Sequence, residues 1–194
     1  MRKTIIAVAG LLIFSTVTFA QEHRERERPS QPSPQAVDDN SPRYTSAGGR
    51  YSIAFPGGKQ PSLSSQNITD PNGNLVPQYL ATVVDGTDAY MVAYFEYGAG
   101  IVFNLDKARD GMVNSLNGTL LEEHAMSIGG SPGREIRIAA RTEQGLDFVD
   151  RARFYNVGAR VYVLQCVFPK SNDGASVAER CERFLESFRV RTTE

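Results

Sequence analysis

The chain has 194 residues, 41% hydrophobic and 22% charged, which suits one domain with a packed core and excludes wholesale disorder. Its 21 Lys and Arg residues nearly balance 22 Asp and Glu residues, and a net charge of −1 gives no electrostatic basis for nucleic-acid binding. Two cysteines and two histidines are too few for a zinc cluster, so we expect no metal and no cofactor.

Residues 1–20 have the pattern of a cleavable secretory signal. Arg2 and Lys3 form a short positive region, an apolar stretch runs from Ile5 to Phe14, and the small residues Thr18 and Ala20 precede a cleavage point. The apolar stretch is short for a membrane span of about 20 residues, and an uncleaved anchor is the alternative. We therefore expect a periplasmic or secreted protein with no stable membrane span after cleavage, and with no cysteine at the cleavage point to carry a lipid anchor.

Residues 21–45 predict a disordered linker. The segment from Glu22 to Arg28 alternates in charge, and the segment from Ser30 to Gln35 is polar and rich in proline. Neither can bury enough apolar surface to offset the entropy of ordering. The folded domain is accordingly predicted to span residues 46–191.

The first half of this domain predicts three strands and a helix. The strands are Tyr51 to Phe55, Gln78 to Val84 and Ala89 to Tyr97, and residues 57–78 between the first two are rich in Ser, Asn, Gly and Pro and predict a loop. Asn104 is a favourable N-cap for a helix whose apolar residues recur at steps of three and four. Asn117 and Gly118 predict its end.

The second half predicts four strands joined by short turns, followed by a helix. The strands are Thr119 to Ile128, Arg134 to Arg141, Leu146 to Asn156 and Arg160 to Phe168. Because the turns are too short for crossover helices, neighbouring strands must be antiparallel. Either Asp173 or Ser176 is expected to cap the last helix.

Two strands, Ala89 to Tyr97 and Arg160 to Phe168, are apolar on both alternating sets of positions. Such strands lie in the middle of a sheet that is covered on both faces. The predicted fold class is therefore α+β, an antiparallel sheet of six to seven strands with a helix on each face.

Several segments together resemble exported bacterial domains of the PsbP-like superfamily. They are Arg50 to Pro56, Tyr90 to Tyr94, Arg109 to Val113, Pro132 to Ile136, Arg153 to Leu164 and Phe184 to Phe188. This fold is shared with a nuclear Ran-binding protein and with mycobacterial lipoproteins. The resemblance implies an α/β/α sandwich and a binding or assembly role more often than catalysis, and it supplies no catalytic constellation.

Cys166 lies on the last strand and Cys181 on the apolar side of the helix expected to cover it. In an oxidising compartment this pair predicts a disulfide. The alternative is that both are small buried hydrophobic residues.

Arg134 shares the alternation of Ile136 and Ile138, so burial of that face would require a partner for its guanidinium group. Asp150 in the next strand is the candidate for a structural ion pair. A contact with an anionic ligand is the alternative.

His124 and the segment from Asp70 to Asn74 each have some residues of a functional site but lack the others that such a site needs. His124, in a polar strand, has no visible nucleophile beside it, and we expect an exposed histidine rather than a general base. The segment from Asp70 to Asn74 superficially resembles a calcium loop, but Leu75 stands at the sixth position, where such loops need glycine. Turn formation explains it more simply.

We therefore expect an exported, non-catalytic domain that binds a protein or a cell-envelope component. The alternative is binding of a small apolar ligand between helix and sheet, suggested by Tyr90, Tyr94, Phe95 and Tyr162. An exposed apolar patch would favour the first hypothesis and a large apolar pocket the second.

Overall fold

The computed structural model describes residues 42–70, 72–98 and 101–191. The predicted signal and residues 21–41 of the predicted linker lie outside the described residues. A short strand begins at Tyr44, so Tyr44 and Thr45, which we placed at the end of the linker, belong to the folded domain.

The centre of the fold is a seven-stranded sheet in which every pair of neighbours is antiparallel. Its strands are β3 (Ser62–Thr69), β4 (Leu75–Asp85), β5 (Asp88–Glu96), β6 (Thr119–Ile128), β7 (Ser131–Arg141), β8 (Asp147–Val157) and β9 (Arg160–Pro169). Their order across the sheet is β3-β4-β5-β9-β8-β7-β6, so β3 and β6 are the edges. Consecutive strands form hairpins on each side, and the β5–β9 pair joins the two halves.

A smaller sheet has the order β1-β2-β10 and lies beside the main one. It contains β1 (Tyr44–Ser46), β2 (Tyr51–Ile53) and β10 (Arg189–Val190). Tyr51 and Ile53 are fully buried and belong to the same apolar cluster as the last helix. The small sheet therefore helps that helix to cover one face of the main sheet.

The helix α1 (Leu105–Ser115) forms where the sequence predicts it. The Asn104 side chain accepts a hydrogen bond from the Lys107 backbone N–H at 2.9 Å, which caps the helix. Ala108 and Met112 are its buried residues. The chain leaves the helix at Asn117, which has a positive φ of 46°.

The helix α2 (Ala175–Glu186) begins at a different residue from either predicted cap. Gly174 is the N-cap, and because glycine has no side chain the helix has no side-chain capping hydrogen bond. Asp173 instead forms an ion pair with Arg137, and the Ser176 hydroxyl accepts a hydrogen bond from Arg180 at 3.0 Å. Both predicted caps were wrong, since Asp173 lies one residue before the N-cap and Ser176 lies inside the helix.

The two helices cover opposite faces of the main sheet, as predicted. Along β9, Tyr162, Leu164 and Cys166 pack in the cluster that contains α2, whereas Val161 and Val163 pack in the cluster that contains α1. The double-sided burial follows from apolar residues at both alternating sets of positions. We refer to the two sides as the α2 face and the α1 face.

The predicted loop over residues 57–78 was wrong. This stretch contains β3 and the first residues of β4, paired antiparallel from Ser62 opposite Thr82 to Thr69 opposite Leu75. The strand β3 is an edge strand with one buried residue, Ile68, so its composition lacks the apolar alternation that identifies a strand.

Candidate functional site

An apolar surface lies exposed at the β3–β4 end of the main sheet, on the α2 face. Leu75, Pro77 and Tyr79 alternate along β4 and therefore share one face. Leu63 on β3 lies opposite Ala81, the next residue on that face. Leu63, Leu75 and Tyr79 are 65%, 69% and 44% exposed. We call Leu63, Leu75, Pro77 and Tyr79 the β3–β4 surface.

The same face of β4 is buried further along the strand. Ala81 and Val83, which continue the alternation of Leu75 and Tyr79, belong to the core cluster with α2. The helix thus packs over the later half of β4 and not over the earlier half. Leu75, Pro77 and Tyr79 are the part of β4 on this face that extends beyond the helix, and Leu63 lies beside Ala81 at the edge of the sheet.

Tyr79 joins this surface to the core through an aromatic stack. Its ring stacks on that of Tyr94, with centroids 5.0 Å apart and planes at 20°. The Arg160 guanidinium lies over the other ring of the pair, 5.4 Å from the Tyr94 centroid, and also pairs with Glu96. Burial raises the pKa of Tyr94, so its hydroxyl stays protonated at neutral pH. The surface is therefore apolar and aromatic, and Arg160, which lies beside it, is paired with Glu96.

A charged cluster that the sequence analysis missed occupies the other side of the α2 face. Arg153 on β8 is almost fully buried and pairs with Glu135 on β7 and with Glu182 and Glu186 on α2. Burial disfavours the charged form of Arg153, but Glu135 and Glu186 outweigh it and raise its pKa. Arg151 pairs with Glu135 and Glu182 as well. These contacts fasten α2 to the sheet.

The predicted ion pair between Arg134 and Asp150 does not form. In the β7–β8 register Arg134 lies opposite Phe154, and Asp150 lies opposite Ile138. Arg134 instead pairs with Asp106 on α1 and Glu123 on β6. Its hydrogen bond lowers the pKa of Asp106. Arg134 is therefore structural, as expected, but with different partners.

Asp150 is fully buried on the α1 face. The Gln165 side-chain amide donates a hydrogen bond to its Oδ2 at 2.7 Å, whereas its Oδ1 has no hydrogen-bond partner among the described residues. Burial raises the pKa of Asp150 to about 7, although the Gln165 bond opposes the shift. This carboxyl group lies among core residues rather than in a charged cluster.

Cys166 and Cys181 lie at disulfide distance, as the sequence predicted. Their Cα atoms are 5.8 Å apart, which suits a disulfide, and both residues are buried between β9 and α2. The cysteine pair therefore links β9 to α2, the helix that covers it. Neither cysteine is free.

The remaining candidate positions are His124 and the segment from Asp70 to Asn74. His124 is exposed on β6 opposite Glu135, as expected of a solvated strand histidine. Asp70 accepts hydrogen bonds from the Asn72 and Asn74 backbone N–H groups, both at 2.8 Å, which is turn formation as predicted. Within residues 42–70, 72–98 and 101–191 no group of three His, Cys, Asp or Glu side chains could hold a metal ion.

The β3–β4 surface was not predicted, because Leu63 and Leu75 lie in the stretch predicted to be a loop. A usable signal was present, since Leu75, Pro77 and Tyr79 alternate with the buried Val76, Gln78 and Leu80. Proline at the central position weakened the strand prediction.

Comparison with known proteins shows the fold and no closer relationship. The chain matches no sequence family and no curated protein. Its structure is similar to cyanobacterial PsbP from Synechocystis sp. PCC 6803, with a TM-score of 0.53 and 12% identity, covering 76% of this chain and 91% of that one. It also matches a protein of unknown function from Pseudomonas aeruginosa with a TM-score of 0.48 and 12% identity, covering 78% and 97%. The likeness to PsbP confirms the predicted PsbP-like fold. No helix in the described part of the chain is long and apolar enough to cross a membrane.

Proposed function

We propose that this protein is an exported, non-catalytic binding domain that engages a protein or a cell-envelope component through the β3–β4 surface. The observation that carries the proposal is the exposure of Leu63, Leu75 and Tyr79 on one face of two paired strands. Grouped exposed apolar side chains on a folded domain are typical of interaction sites, because leaving them in water costs free energy that a partner can recover.

The aromatic residues that suggested a small-ligand site are mostly packed in the core, which disfavours the small-ligand hypothesis. Tyr90, Phe95 and Tyr162 are each about 1% exposed, and their rings pack against other aromatic rings of the chain. Side chains of the protein itself therefore occupy the space between helix and sheet around these rings. Tyr94, the fourth residue, stacks under the exposed Tyr79.

Export and the lack of catalysis belong to the same proposal. The signal pattern of residues 1–20 and the cysteine pair at disulfide distance support an oxidising compartment. His124 is exposed and opposite a glutamate, with no nucleophile in its strand register, which supports a role without catalysis.

The test is capture from an envelope extract, followed by binding of the purified partner to matched variants. We expect Leu63→Ser and Leu75→Ser to weaken saturable binding by about tenfold or more, because each removes apolar area at the surface. Leu146→Ser is the control, since Leu146 is 50% exposed in the turn between β7 and β8, which lies outside the β3–β4 surface.

Unchanged affinity in both surface variants would contradict the proposed surface. Recovery of only lipids or metabolites in the capture step would favour the small-ligand hypothesis.

A further inference from the structure

The two edges of the main sheet differ in how they are protected. The edge strand β6 carries Glu122, Glu123 and His124, and its pairing with β7 is interrupted by a register shift between Leu120 and Glu122. The edge strand β3, with the sequence SLSSQNIT, has no charged residue and no proline over eight residues. Charges and bulges are the usual means of preventing edge-to-edge association, and β3 lacks them.

Among the described strands β3 pairs only with β4, so part of its backbone points away from the sheet. The Asp70 N–H donates to the Asn74 carbonyl at 2.8 Å, so these two residues form a hydrogen-bonded pair. Hydrogen-bonded and non-hydrogen-bonded pairs alternate along antiparallel strands. The register therefore directs the N–H and C=O groups of Leu63, Ser65 and Asn67 away from β4. The side chains of all three are exposed.

We propose that β3 pairs antiparallel with β3 of a second copy of this chain, about a two-fold axis that passes between the two Gln66 residues. In this arrangement Leu63 lies opposite Thr69 of the other copy, and Ser65 lies opposite Asn67. Every outward-pointing residue then has a counterpart, and the two strands bring no charges together. An antiparallel strand pair about a two-fold axis is self-complementary, which is why a second copy fits this edge.

The assembly is a dimer because each copy's β3 edge is occupied by the other copy, and its β6 edge is protected from further pairing. The pairing makes one continuous sheet whose α2 face carries Leu63 and Tyr79 of both copies. This inference goes beyond the proposed function, which requires no dimer. The dimer would offer a partner twice the apolar area of a single copy.

The first test is analytical ultracentrifugation of the complete chain over a range of concentrations. We expect a dimer for the unaltered chain and a monomer for Ser65→Lys, with at least about a tenfold increase in the dissociation constant, because the two introduced charges lie close to the axis. The control Ser127→Lys places the same charge at an exposed position of the other edge and should remain dimeric.

A monomer at every concentration, species larger than a dimer, or an unaffected Ser65→Lys variant would each overturn the proposal. Melting curves establish that the variants are folded. No partner protein is present in this measurement, so its outcome is independent of the capture experiment.

The second test fixes the register. In a non-hydrogen-bonded antiparallel pair the Cα atoms are about 4.5 Å apart, a separation that a disulfide can span. We expect Gln66→Cys to form a covalent dimer on mild oxidation. Ser64→Cys, on the same face of the same strand, should not, because it lies opposite Ile68 of the other copy. Equal cross-linking of both variants, or of neither, would contradict the arrangement.

Discussion

Asp150 couples the stability of the core to pH. Its pKa is raised to about 7 by burial, so the folded state holds a proton that the unfolded chain loses near pH 4. The stabilisation from this proton is complete below the unfolded pKa and is lost as pH rises through about 7.

We therefore expect Asp150→Asn to flatten the fall in stability between pH 4 and 7. Above pH 7 the variant should be more stable than the unaltered chain by at most about 4 kcal/mol, since one pKa unit corresponds to about 1.4 kcal/mol. Urea unfolding across this pH range measures the effect. A variant with the same pH dependence as the unaltered chain would show that Asp150 does not titrate near neutrality.

Comparing Arg153 with Arg134 tests how burial changes the contribution of an ion pair to stability. The Arg153 side chain is 5% exposed and that of its partner Glu135 is 13% exposed. The Arg134 side chain is 18% exposed, and those of its partners Asp106 and Glu123 are 63% and 28% exposed. Breaking a buried ion pair leaves uncompensated charge, whereas a solvated pair contributes little.

We expect Arg153→Met to lower the free energy of unfolding by about 3 kcal/mol and Arg134→Met by about 1 kcal/mol. Chemical denaturation of both variants at one pH gives the comparison. Equal losses would mean that burial does not govern these pairs.

The alternation of residues in the sequence predicted the face of Arg134 but not its partner. Its position beside Ile136 and Ile138 in the alternation is correct, whereas the β7–β8 register places Asp150 opposite Ile138. The turn between β7 and β8 sets this register, and the actual partners of Arg134 lie on α1 and β6, which alternation along one strand does not specify.

At the scale of elements, the cysteine pair ties α2 to β9. In the chain-entropy description a cross-link closing a loop of this length stabilises the fold by about 3 kcal/mol. We expect Cys166→Ala with Cys181→Ala to lower the free energy of unfolding by about that amount. Mass measurement with and without reductant checks the bond itself. Free alkylation of both thiols in the native protein would show that the pair is not bonded.

Central strands were more predictable than edge strands. The strands β5 and β9 bury residues on both faces, which leaves a nearly continuous apolar run in the sequence. The strand β3 has one buried residue and pairs with only β4 among the described strands, so nothing in its composition separates it from a loop. The candidate surface was missed for the same reason, since two of its residues adjoin that strand.

At the scale of the whole molecule, the sheet should be most rigid along its middle. All but the end residues of β9 are buried, and it lies between β5 and β8, whereas β6 is an edge with no fully buried residue. We expect native-state hydrogen exchange to be slowest in β9 and at least about a hundredfold faster in β6, because edge strands open locally. Comparable protection of the two strands would contradict this gradient.

The three-stranded sheet holds both ends of the described fold at one corner. β1 and β10 flank β2 on either side, with Tyr44 opposite Ile53 and Arg189 opposite Ser52. Two strand spacings, about 10 Å, therefore separate the entering chain from the departing chain. A few added residues could join them, so a circular permutant with new ends in the exposed turn at Gly129 and Gly130 should keep this architecture. Cargo fused to the C-terminal end would start beside the point where the N-terminal segment enters.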